Sequence, residues 1–196
     1  MVLVVVAVVS IAAIVVFTRS VSVVGAGMEP TLREKDRLEV AFGGTHAIKR
    51  FDLVEVTPPA TLAFQGGKAI VLRVVGMPGD KVAVQGGPHP VVFVKQAGSH
   101  RIVRVESSTW ASRVGSATGS CCDPQGRASD ERAWATVPAD AYWLLGDNWG
   151  NAIDGRTVGF LRGSSIASRL SFRVLPVGSI GSVGNPARLV SLDSAS

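Results

Sequence analysis

From Met1 to Phe17 the chain is apolar at every position except Ser10, and Thr18, Arg19 and Ser20 close the run. A helix that is apolar all round cannot stand in water, so this stretch must be covered by lipid or by protein. At 1.5 Å per residue it would be about 26 Å long, slightly short of a hydrocarbon core of roughly 30 Å, a gap that flanking residues and local thinning accommodate. The expectation is one membrane-spanning anchor over residues 1–18. Two alternatives stay open: a cleavable secretory signal, since the small residues Gly25 to Gly27 follow, and a buried core helix. No basic residue precedes the run, which counts against the secretory signal and leaves orientation unset by the positive-inside rule.

Beyond the run, short Val-rich segments alternate with Gly and Pro. The pattern predicts strands at Ser22–Val24, Arg37–Val40, Leu53–Val56, Ala69–Val75, Lys81–Val84, Val91–Val94, Ile102–Val105, Ala141–Leu145 and Ser171–Leu175. With 196 residues, 46% of them hydrophobic, and a mean hydropathy of +0.31, the chain is too apolar for disorder and sized for one mostly β domain over residues 19–177. Residues 107–132 are polar and rich in small side chains, the composition of an exposed insertion or loop. Residues 178–196 read as a weakly ordered tail.

The charge balance, 20 Lys plus Arg against 15 Asp plus Glu, gives +5, but the excess is dispersed. Arg101 with Arg104 and Arg169 with Arg173 are only pairs, so a nucleic-acid partner is not expected. Cys121 and Cys122 are adjacent and cannot staple distant segments; free thiols or a contact between chains are expected. No zinc-type spacing occurs, His46, His89 and His100 sit beside turn residues, and neither a metal nor a cofactor is expected.

Four segments carry the chemistry. They are Gly25-Ala26-Gly27-Met28-Glu29-Pro30-Thr31-Leu32; Arg50-Phe51-Asp52-Leu53-Val54; Leu72-Arg73-Val74-Val75-Gly76-Met77-Pro78-Gly79-Asp80; and Gly146-Asp147-Asn148 with Asp154-Gly155-Arg156 and Gly159. Taken in this order behind an apolar run, and with Phe172-Arg173-Val174-Leu175-Pro176 similar to a closing strand, the chain resembles the type I signal peptidases. That resemblance implies a β-rich Ser/Lys endopeptidase domain on the extracytoplasmic side of the cytoplasmic membrane. It also implies a substrate bound as an extended strand and cut after a small-x-small pattern.

The resemblance also marks what has been replaced. A Ser/Lys hydrolase needs a hydroxyl to attack, a neutral lysine to take its proton, and donors at the oxyanion. The nucleophile position of the resemblance is Gly27 and the general-base position is Leu72; the assisting hydroxyl positions are Gly25, Ala152 and Gly155. Asp154 and Arg156, a structural ion pair in the resemblance, are retained, and Trp149 stands where the family often has arginine. Lys68 shares a strand face with Leu72 but lies roughly 13 Å away at about 3.3 Å per residue, too far to substitute for the lysine.

The expected function is therefore a proteolytically inactive, single-pass membrane homologue whose groove still binds an extended peptide. Its groove candidates are Gly25, Gly27, Met28, Leu72, Trp149, Asp147 and Asn148, and its companions would be a partner peptidase or a secretion component. Two other readings stay open. In one, the emptied apolar cleft serves a non-proteolytic enzyme acting on a hydrophobic small molecule, by cyclisation or isomerisation. In the other, the chain is simply an inactivated peptidase.

Overall fold

The computed structural model describes residues 1–2, 4–7, 10, 18–41, 48–57, 69–87, 89–111 and 119–192. The expected anchor over residues 1–18 falls largely outside them, as do His46 and Lys68. Among the described residues no helix is long and apolar enough to cross a membrane.

Fifteen strands follow in chain order: β1 (Ser20–Ser22), β2 (Arg37–Val40), β3 (Leu53–Val56), β4 (Ile70–Gly76), β5 (Lys81–Gln85), β6 (Val91–Lys95), β7 (Ile102–Ser107), β8 (Ser120–Cys121), β9 (Ala128–Ser129), β10 (Ala135–Thr136), β11 (Ala141–Leu145), β12 (Leu161–Arg162), β13 (Ile166–Leu175), β14 (Gly181–Ser182) and β15 (Ala187–Ser191). Two one-turn helices, α1 (Ser108–Ala111) and α2 (Gly155–Val158), lie between them. The strands form two antiparallel sheets. One runs β1-β2-β13-β3-β4-β11-β12, with β14 on β13; the other runs β15-β7-β6-β5-β8-β9, with β10 on β5.

The chain passes from the first sheet to the second through Met77-Pro78-Gly79-Asp80. Gly79 takes a left-handed φ of 81°, a conformation that glycine adopts without a Cβ penalty. Asp80 is buried and accepts from Met77 N (2.8 Å), Ala97 N (2.9 Å) and Arg50 Nη1 (2.7 Å), so one carboxylate ties the crossing to both sheets. β4 is almost continuously apolar, as a strand covered on both faces should be. Leu72 and Val74 enter one apolar cluster with Val54, Leu144 and Ile166, while Val71 and Val75 enter two others.

Most predicted strands appear within a residue or two of their expected ends. β1 lies earlier than expected, and β13 begins at Ile166 rather than Ser171. Its extra residues alternate inward at Ile166, Ser168 and Leu170. The middle one is a serine whose Oγ donates to Glu55 Oε2 at 2.7 Å, which interrupts the apolar signal while satisfying the burial.

Two expectations need correction. Cys121 and Cys122 are joined to each other by a disulfide. Both are buried in the core cluster with Val84, Trp143 and Trp149, so neither free thiols nor a contact between chains describes them. The tail expected over residues 178–196 instead contains β15, which pairs residue for residue with β7 from Ala187↔Ser107 to Ser191↔Val103. Alternation explains the ordering: Ala187 and Leu189 pack on the core, while Arg188 turns outward and bridges Glu106 at 2.8 Å.

Ala187→Asp should accordingly destabilise the fold by roughly 2–4 kcal/mol, because it places a carboxylate in a buried position without a partner. Urea midpoints measure this, and an unchanged midpoint would return residues 187–191 to the status of a tail.

Candidate functional site

Arg73 interrupts the apolar run of β4, and a buried guanidinium requires a partner. It finds Asp147, immediately after β11. Arg73 Nε donates to Asp147 Oδ1 at 2.8 Å and Nη2 donates to Oδ2 at 2.6 Å, with the two side chains 1% and 0% exposed. Thr31 Oγ1 donates to Asp147 Oδ2 at 2.5 Å, and Arg73 Nη1 donates to Phe51 O at 2.9 Å and Asn185 Oδ1 at 3.3 Å. One ion pair thus fixes β4, the loop after β11, the Gly25–Leu32 segment and the approach to β15.

The next residue clamps the segment itself. Asn148 N donates to Gly27 O at 2.9 Å and Asn148 Nδ2 donates to Ala26 O at 2.8 Å. Gly146 allows the approach: a Cβ there would overlap Ala152 Cβ and lie 2.6 Å from Gly27 O. Its N–H donates to Asp154 Oδ2 at 3.0 Å. Asp154 also caps α2 through Arg156 N and accepts from Arg156 Nε (2.9 Å) and Nη2 (2.7 Å). The ion pair that the resemblance implied is therefore present.

Gly25, Gly27, Asp147, Asn148 and Ala152 are brought together, with Gly25 at a φ of 74° and Gly27 half-buried against Ala152. The apolar candidates are not. Met28, Leu72 and Trp149 are all buried and enter three different clusters, so they do not line a shared apolar cleft. For Trp149 the reason is local: Arg156 stacks 4.0 Å above its ring and Trp110 meets it edge-on at 5.1 Å. An apolar surface with such partners gains more from contact than from facing a groove.

Gly155 is also enclosed. A Cβ there would stand 2.6 Å from Trp143 Nε1 and 2.9 Å from Leu144 O. Trp143 is fully buried and donates from Nε1 to Gly126 O at 2.8 Å, so it has little freedom to yield. At Gly27, by contrast, an added Cβ meets only ordinary contacts of 3.6 Å and beyond.

Arg73, Thr31, Trp110 and Asn185 belong to the site although none of them was among the candidate site residues read from the sequence. A charge inside an apolar run was the one available signal, and it pointed to Arg73. Trp110 joins by donating from Nε1 to Gly146 O at 3.1 Å. Among the described residues no group of three or more His, Cys, Asp or Glu could hold a metal.

The signal peptidase family, peptidase S26, matches residues 1–175 of this chain. The chain is 29% identical over 164 residues to a signal peptidase I of Leptolyngbya laminosa, covering 81% of this chain and 70% of that protein. It is 27% identical over 183 residues to the signal peptidase I of Streptococcus pneumoniae serotype 4, covering 84% and 86%. A crystal structure of a signal peptidase I from Enterococcus faecalis V583 aligns with a TM-score of 0.43 at 21% identity, over 64% of this chain and 97% of that one.

The two glycines should respond differently to the same hydroxyl. Gly27→Ser should cost less than about 1 kcal/mol, whereas Gly155→Ser should cost about 3 kcal/mol by overpacking Trp143. Chemical denaturation of both variants measures the difference, and equal costs would show that Trp143 does not enforce the glycine.

Proposed function

The chain belongs to the signal peptidase S26 family, and from that membership we propose that it is a membrane-anchored homologue that binds an extended peptide and does not cut it. Leu72 carries this reading. At the position of the family's general base it is 2% exposed and packed among Val54, Val74, Leu144 and Ile166, where there is no group to accept a proton. Gly27, at the nucleophile position, offers only its backbone. Losing one member of a catalytic pair in a serine hydrolase costs about 10⁶ in turnover, and losing both costs little more.

What remains is suited to holding main chain. β4 pairs with β3 along Ile70–Arg73, but β11 reaches only Arg73, Val74 and Gly76 on its other side. Among the described residues, no strand pairs with that second edge of Ile70–Leu72. An extended peptide would add there as a strand, with affinity from backbone hydrogen bonds and preference for small side chains expected from the family resemblance. Membrane attachment rests on the apolar run of residues 1–17, and the extracytoplasmic side, where secretory precursors emerge, rests on family membership alone. No observation favours the small-molecule reading.

Incubated with a labelled peptide carrying a small-x-small pattern, the full-length protein in detergent should raise its fluorescence anisotropy, and mass spectrometry should find the peptide intact. Gly27→Trp, which fills the half-buried position, should abolish the binding. A cleavage product that disappears in Gly27→Trp would overturn the proposal.

A further inference from the structure

The family match stops at residue 175, and the chain beyond it supplies one wall of a second concave site. The approach to β15 and its first residues, Asn185 to Arg188, face the start of β6, the end of β7 and α1 across a pocket of about 820 Å³. Its body is apolar, formed by Val91, Val105, Trp110, Pro186 and Ala187. Gly25, Gly27, Leu72 and Asn148 do not line it; Trp110 and Asn185 do, and through them it adjoins the site described above.

The polar part is concentrated on Arg104, Glu106 and Arg188. Glu106 Oε1 takes Arg104 Nη2 at 2.6 Å and Oε2 takes Arg188 Nη2 at 2.8 Å. The Arg188 guanidinium, with Arg104 beside it, holds the Glu106 carboxyl below the ordinary glutamate range, so all three groups are charged at neutral pH. Two guanidiniums against one carboxylate leave one positive charge in excess, and ten N–H donors face only two acceptor oxygens on that side chain. Arg104 Nε is shielded from solvent and has no hydrogen-bond partner. Glu106 is the sole carboxylate among the described lining residues.

We propose that this pocket binds a compact amphipathic carboxylate, with its aromatic or aliphatic body against Trp110 and Val91 and its carboxylate on the free donors of Arg188 and Arg104. A planar carboxylate matches the guanidinium fork in two parallel hydrogen bonds, which an amide or an ammonium cannot reproduce. The pocket volume falls in the range typical of small-molecule sites.

The test titrates 2-naphthoate into the full-length protein in an uncharged detergent, followed by calorimetry and by tryptophan fluorescence, with 2-naphthamide and 2-naphthylmethylammonium as matched probes. Naphthoate should saturate at one per chain, and each of the other two should bind at least about tenfold more weakly. Arg188 is 75% exposed on its side chain, so Arg188→Gln spares the fold. That variant should weaken naphthoate about tenfold and leave the amide unchanged. Binding should persist in Gly27→Trp, and its loss there would assign the probe to the peptide groove and overturn the proposal. Equal affinity for the three probes, or naphthoate binding indifferent to both Arg188→Gln and Arg104→Gln, would overturn it as well.

Discussion

The buried pair of Arg73 and Asp147 is the interaction on which the arrangement depends. Placing two charges out of water is costly, and their attraction offsets that cost only where the geometry is good and the remaining donors and acceptors are used. Here they are: Arg73 also serves Phe51 O and Asn185, and Asp147 also takes Thr31. The contribution is chiefly positional. Five segments distant in sequence can satisfy these atoms in one arrangement, and that arrangement sets Gly27 beside Asn148 and Ala152.

Around that pair the site is made of backbone. Gly146 lets two loops approach more closely than any side chain would permit, and Asn148 then holds the Ala26 and Gly27 carbonyls. Gly27, Leu72 and Gly155 do not share one environment. Gly27 has room for a side chain, whereas Gly155 is closed by Trp143, itself fixed by its bond to Gly126 O. Leu72 sits in an apolar cluster in which a charged side chain would be penalised. The two glycines are therefore set into the packing to different depths, and residue 155 has the less room for a hydroxyl.

Legibility followed the range of the signal. Ala141–Leu145 and Arg37–Val40 were readable because alternation and turn residues lie within the segment itself. β15 was not, because Ala-Arg-Leu-Val-Ser is short and its partner strand lies some 80 residues away; the register runs from Ala187↔Ser107 to Ser191↔Val103. The Asp154–Arg156 pair was visible through the family pattern. The fate of Trp149 was not, since a tryptophan at that position fits a groove wall as well as a core until Trp110 and Arg156 are placed around it.

Read alone, the amino-acid order settled the β class, the family and the absence of a hydroxyl at residue 27 and an amine at residue 72, because these depend on residue identity and on neighbours a few positions apart. Folding in three dimensions decided the rest. It buried Met28, Leu72 and Trp149 in three different clusters, joined Cys121 to Cys122 inside the core, and turned the last segment into a strand that closes a pocket with Arg104 and Glu106. Side-chain burial and charge pairing are properties of what surrounds a residue, and those surroundings come from segments that only the folded chain brings together.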